Sequence, residues 1–176
     1  MPFTPIHMGP ALAIKALCGR YFSVLSFGIS QIAMDIEPLV RMLWCAEVVH
    51  GPSHTYLAAI LIAFAVVFIS PPLCRLILRR WNRELAFHQL SWLAEDARLT
   101  RVPIIAGAFS GTISHVALDS IMHSDMMPLA PWSIANGLLG VISISALHKV
   151  CFVTGVLGIV GLIFIKWKTS RVGGSE

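Results

Sequence analysis

Apolar residues in this chain run in long blocks separated by short polar or proline-bearing stretches, the pattern of segments that cross lipid. The clearest block lies at 54–72, where Leu57 to Ile69 is continuously apolar and Pro71-Pro72 is expected to close the helix. Similar blocks occupy 102–124 and 150–167. The N-terminal pattern is weaker because Lys15 and Arg20 interrupt it; it predicts a short, re-entrant or spanning helix over 8–20 and a second helix over 22–36. Pro128, Pro131 and Asn136-Gly137 break the 128–147 segment, which reads as a loop with a partly embedded piece. The fold class expected is all-α: a polytopic helical membrane protein with about five membrane-embedded helices of roughly 20 residues each. They form a single domain over 1–167, followed by a flexible tail at 168–176.

Polar positions set the orientation. Arg75, Arg79, Arg80, Arg83, Arg98 and Arg101 gather between the third and fourth blocks, and Lys166, Lys168 and Arg171 follow the last one. The positive-inside rule places this loop and the C-terminus in the cytoplasm, with two crossings between them. Trp81, Leu85 and Trp92, interleaved with charge, predict an amphipathic helix over 76–99 on the cytoplasmic membrane surface. The apolar start lacks a basic leader and a small-x-small cleavage site, so it reads as part of the mature chain rather than as a signal peptide.

Composition agrees with the pattern. Of 176 residues, 56% are hydrophobic and 12% charged, with a mean hydropathy of +0.78, well beyond a soluble domain. The net charge of +4 comes from residues flanking apolar blocks and accompanies no nucleic-acid motif, so membrane lipids rather than nucleic acid are the expected partners. Cys18, Cys45, Cys74 and Cys151 stand singly without a C-x-x-C and read as packing residues.

The expected topology brings His7, Asp35, Glu37, His50, His54, His115, Asp119, His123 and Asp125 to the outer ends of the helices, although they come from separate segments. His115, Asp119 and His123 recur at a spacing of four and share one helical stripe. Gly107 and Gly111 continue that stripe downward, where they allow close approach of a neighbouring helix. Gly155, Gly158 and Gly161 read as packing alone. Taken singly, each polar residue has an ordinary explanation: an interfacial histidine at His7, a helix-end carboxylate at Asp35 or Glu37, a hydrogen-bonded pair at His115 and Asp119. Their segregation onto one face favours a convergent site. His88 and His148 stand apart and read as solvated or interfacial.

Imidazole with carboxylate suits a divalent transition metal, zinc first and manganese, iron or nickel as alternatives, bound as one or two ions. The candidate ligands are His7, Asp35, His50, His54, His115 and Asp119, and the candidate general bases are Glu37 and Asp125. Such a site activates water for hydrolysis. Its position at the membrane rim suits an amphiphilic substrate, a lipid or lipid-linked ester. A transporter using the same residues, or a structural protein with a histidine network, are the competing readings; neither internal repeats nor ligands at mid-helix favour the transporter.

Short motifs add a resemblance. Met1-Pro2-Phe3-Thr4-Pro5-Ile6-His7, Asp35-Ile36-Glu37-Pro38, His50 with His54-Thr55, and His115-x-x-x-Asp119 follow one another between positions 1 and 125. In this the chain resembles the membrane-bound metal-dependent hydrolase family of bacteria and archaea, the YdjM-like proteins. The resemblance implies an inner-membrane hydrolase and identifies no substrate; the topology expected above puts the site on the outer, periplasmic face. The chain departs from that family where Gly51 and Ser53-His54-Thr55 replace a His-Arg run ending in Thr-His-Ser.

Overall fold

The computed structural model describes residues 5–97 and 99–172. Within them the chain forms five α-helices: α1 (Gly9–Cys18), α2 (Val24–Leu43), α3 (Tyr56–Phe87), α4 (Arg101–Met122) and α5 (Ile144–Val172), joined by short 3-10 turns and irregular loops. Met1 to Thr4 of the opening motif, Arg98 of the basic loop, and Gly173 to Glu176 of the tail lie outside the described residues.

Three helices, α3, α4 and α5, are long and apolar enough to cross a membrane. The chain is thus a helical membrane protein. At 1.5 Å per residue, the ten residues of α1 span only about 15 Å, roughly half a hydrocarbon core. The 32 residues of α3 reach about 48 Å, longer than the core is thick, so the arginine-bearing end of this helix extends past the apolar layer.

This length is one difference from the sequence reading. Pro71-Pro72 do not end α3; the helix passes through both and reaches Phe87, so 76–87 is the far end of that helix instead of a separate helix. Two missing N–H donors cost a membrane helix less than a soluble one, because neighbouring helices and local adjustment satisfy the freed carbonyls. Residues 88–100 are irregular apart from the turn Ser91–Leu93. At the C-terminus, α5 absorbs Lys168 to Arg171, residues expected in the tail. Among the cysteines, Cys74 and Cys151 are buried and Cys18 and Cys45 exposed, all four being free.

The helices pack as two close pairings. In one, Gly107 and Gly111 of α4 lie against the backbone of α2: a Cβ on Gly111 would come within 2.7 Å of Ser30 Cβ and 2.9 Å of Phe27 O. Polar groups of α2 use that closeness. Ser26 Oγ donates to Ile104 O at 2.9 Å, Ser30 Oγ to Ala108 O at 3.1 Å and Gln31 Nε2 to Gly111 O at 2.9 Å. Small residues with interhelical hydrogen bonds are what holds helices together in lipid, where apolar burial supplies no drive. α3 packs against both α2 and α4, with Met34, Ala59, Val116 and Met126 forming a buried cluster between them.

The second pairing is α1 with α5, where Gly9 faces the Cys151 carbonyl, Gly158 meets the backbone at Leu12 and Ala13, and Gly161 faces Ala16. Ala11 joins Phe22 and Phe27, with Ala106 packed against them, to link this pair to α2 and α4. At the basic end a clasp closes the bundle: Glu95 pairs with Lys15 of α1 at 3.2 Å and Lys166 of α5 at 2.8 Å. Asn82 of α3 holds the Glu95 backbone through bonds of 2.6 and 3.1 Å.

Candidate metal centre

Both partners of the α2–α4 seam change character at its far end. On α2 the buried stripe runs Ser26, Phe27, Ser30, Gln31, Met34, Asp35 and Pro38; on α4 the glycine stripe continues as His115 and Asp119, both buried. The spacing that lets backbones touch below therefore brings Asp35, His115 and Asp119 face to face above. The loop before α3 adds His54, 1% exposed, from the 3-10 turn Pro52–His54.

Donor atoms of Asp35, His54, His115 and Asp119 all lie within 4.8 Å of one another. His115 Nε2 stands 3.2 Å from His54 Nε2, 3.2 Å from Asp119 Oδ2 and 3.4 Å from Asp35 Oδ1, and His54 Nε2 is 3.6 Å from Asp119 Oδ2. Tetrahedral bonds of about 2.0–2.1 Å place neighbouring donors about 3.3 Å apart, so these separations are those of ligands around one ion. Among the described residues no lysine or arginine pairs with Asp35 or Asp119; their ionic neighbours are histidines. Two buried carboxylates without a cation are costly, and one divalent ion balances them. Among the described residues Asp35 Oδ2 and His7 Nε2, both buried, have no hydrogen-bond partner, as expected of groups that serve something other than the fold. The group can hold a metal ion.

Ring orientation points the same way. Gln31 Oε1 takes His115 Nδ1 at 2.7 Å, Asp125 Oδ1 takes His50 Nδ1 at 2.8 Å, and Ser53 Oγ sits 3.0 Å from His54 Nδ1. With Nδ1 of His115 and His50 donating to these acceptor oxygens, the Nε2 lone pair of each is left facing the centre, the arrangement that carboxylate and amide groups behind ligand histidines produce.

His7 and His50 form a second ring of donors. His7 Nδ1 is 3.9 Å from Asp119 Oδ1, and His50 Nε2 is 3.9 Å from Asp119 Oδ2. His50 also belongs to a smaller group with the half-buried His123 and Asp125, its ring stacked 4.3 Å from that of His123.

The two carboxylates expected as general bases are placed differently. Asp125 Oδ2 accepts the backbone N–H groups of Val49 and His50 at 3.1 and 3.0 Å, while its Oδ1 holds the His50 ring. Burial opposes its ionisation, but these bonds to the His50 backbone and ring prevail and hold the carboxyl down to about 2. Glu37 accepts Arg41 Nε at 2.7 Å on one oxygen and Ser53 N at 2.7 Å on the other. Both carboxylates anchor the loop carrying His50 and His54.

Gln31 was not among the residues singled out from the sequence. The signal was present: an amide in an apolar stretch, four residues before Asp35 and so on the same helical face. His148 begins α5 at this end of the bundle, and His88 follows α3 at the other.

No curated protein matches this sequence, and no solved structure matches it either. The chain matches DUF4184, a domain of unknown function, over residues 1–173. Spanning nearly the whole sequence, that match makes the chain a member of the DUF4184 family.

Proposed function

We propose that the protein is a membrane-bound metal-dependent hydrolase in which His54, His115 and Asp119 hold the ion and leave its fourth position for water, with Asp35 beside it. The observation that carries this reading is the set of donor separations between 3.2 and 3.6 Å within a buried two-histidine, two-carboxylate group. Mixed imidazole and carboxylate donors at these spacings favour zinc, with manganese or iron as alternatives. When bound, such an ion supplies Lewis-acid activation of water near neutral pH.

The chain's own residues divide the remaining work. Gln31, Ser53 and Asp125 fix the histidine rings from behind. Asp35 Oδ2, buried and without a hydrogen-bond partner among the described residues, joins Glu37 and Asp125 as a candidate proton acceptor. His7 and His50 flank Asp119 and hydrogen-bond to substrate or ligate a second ion. The positive-inside rule applied to Arg75, Arg79, Arg80, Arg83 and Arg101 puts this end of the bundle on the outer side of the bacterial inner membrane. A site at the ends of membrane-spanning helices meets amphiphilic substrates at the lipid surface.

The test is a hydrolysis screen of the purified, metal-loaded protein against ester and phosphoester lipids, with His54→Ala and Asp119→Ala beside the wild type. Turnover in the wild type that falls at least about a hundredfold in both variants supports the reading. Equal turnover in all three removes it.

A further inference from the structure

Beyond the metal ligands, the last turns of α2 carry an ionic assembly that the hydrolytic centre does not use. Arg41 Nε donates to Glu37 Oε1 at 2.7 Å and Arg41 Nη1 to the Val48 carbonyl at 3.4 Å. The other Glu37 oxygen takes the Ser53 N–H, so the carboxylate is held on both sides and fixes the guanidinium in turn. This pair rests directly on Gly51: any Cβ there would collide with Glu37 Oε1 and with Arg41 Nε and Nη2. Gly51 follows His50 and Ser53 precedes His54, so the guanidinium lies against the loop that delivers both histidines.

Two features distinguish this from a surface ion pair. Among the described residues Nη2 makes no hydrogen bond, and the Arg41 side chain is 33% exposed, leaving N–H donors of the guanidinium available beside the histidine loop. Next to it, Leu43 and Trp44 are 73% and 79% exposed at the end of the helix, an apolar and aromatic pair of the kind found at lipid headgroup level. Glu37 offsets the formal charge, so the guanidinium attracts a free anion weakly. Its oriented donors count once an anion is already placed beside the histidine loop, where a planar fork matches phosphate oxygens better than an ammonium group does.

We propose that Arg41, buttressed by Glu37 and seated on Gly51, binds a phosphate oxyanion of the substrate beside the metal centre, making the substrate a phosphate ester. The proposal rests on the metal-dependent hydrolase reading above, and the phosphate belongs either to a lipid headgroup or to a soluble ester.

Its test is binding, measured apart from turnover. Wild type, Arg41→Gln and Arg41→Lys are purified in detergent, checked for metal content and melting temperature, and titrated with inorganic phosphate and with mixed micelles containing phosphatidic acid. Phosphate binding by the wild type that weakens at least about tenfold in Arg41→Gln and less in Arg41→Lys, at equal metal content, is the expected result. Tighter binding of phosphatidic acid than of inorganic phosphate assigns the oxyanion to a lipid, and equal binding assigns it to a soluble ester; both require loss in Arg41→Gln. Should Arg41→Gln fail to fold, Arg41→Lys carries the comparison, since it keeps the charge and loses the fork. Equal phosphate binding by wild type and folded variants, or none by the wild type, overturns the proposal. A wild type without metal defeats the hydrolase reading instead, and the same comparison on metal-free protein still decides the role of Arg41.

Discussion

Gln31 offers the sharpest perturbation, because it touches the centre only through His115. Its Oε1 accepts His115 Nδ1 at 2.7 Å and its Nε2 donates to Gly111 O at 2.9 Å, with the side chain 2% exposed. Gln31→Leu keeps the volume and removes both bonds, leaving a buried imidazole N–H unpaired, while Gly111 O keeps its bond from Ser114 Oγ at 3.2 Å. Losing a group that orients a metal-bound histidine typically weakens metal affinity 10- to 100-fold, about 1.4–2.7 kcal/mol. The orphaned imidazole N–H adds about 1–3 kcal/mol to the cost of folding. Competition with a chelator of known affinity reads the first effect, and the melting temperature of metal-free protein reads the second. The expected outcome is weaker metal binding that persists after allowance for the lower stability of the metal-free variant. Metal affinity within twofold of wild type, under conditions where His115→Ala abolishes binding, would refute the claim that Gln31 sets the ring.

Three other outcomes follow from the structure. Gly111→Val places a branched side chain against Ser30 and Phe27, forcing α2 from α4; the variant should lose folded yield and metal together on size-exclusion and metal analysis, while Gly137→Val, whose Cβ meets nothing within 4 Å, should lose neither. Glu95 is partly buried, which alone raises its pKa, but Lys166 and Lys15 outweigh this and hold it below its ordinary 4.5. The stability it contributes is therefore complete above pH 4.5 and lost as pH falls through the lower folded value, so Glu95→Gln should flatten the acid limb of a melting profile. Asp125→Asn weakens the grip on the His50 ring and on the N–H groups of Val49 and His50; it should lower stability by about 1–3 kcal/mol while retaining most metal, because the four central donors are untouched.

The parts of this fold that could be read from the sequence are those with a short period. The order of the five helices follows from apolar blocks, and the α4 stripe from a recurrence of four that carries glycines into His115 and Asp119. Pro71-Pro72 misled because the rule that proline ends a helix belongs to water-exposed segments, and α3 continues through them to Phe87. The network behind the ligands was hidden for a different reason. Gln31 meets His115 across 84 residues, Glu37 meets Ser53 across 16, and His50 meets Asp125 across 75, and no local pattern encodes such pairings. Glu37 and Asp125 were recognisable as polar residues at the right end of the bundle. Only their partners reveal that both anchor a loop.

Metal analysis of the purified protein tests the central claim most directly. Wild type extracted in mild detergent without chelator is compared with Asp119→Asn and His115→Gln by mass spectrometry of bound metals. The account predicts about one or two equivalents of a divalent transition metal in the wild type, and less than about a tenth of that in each folded variant. A folded wild type that binds no such metal even after reconstitution, or variants that retain it equally, would contradict it.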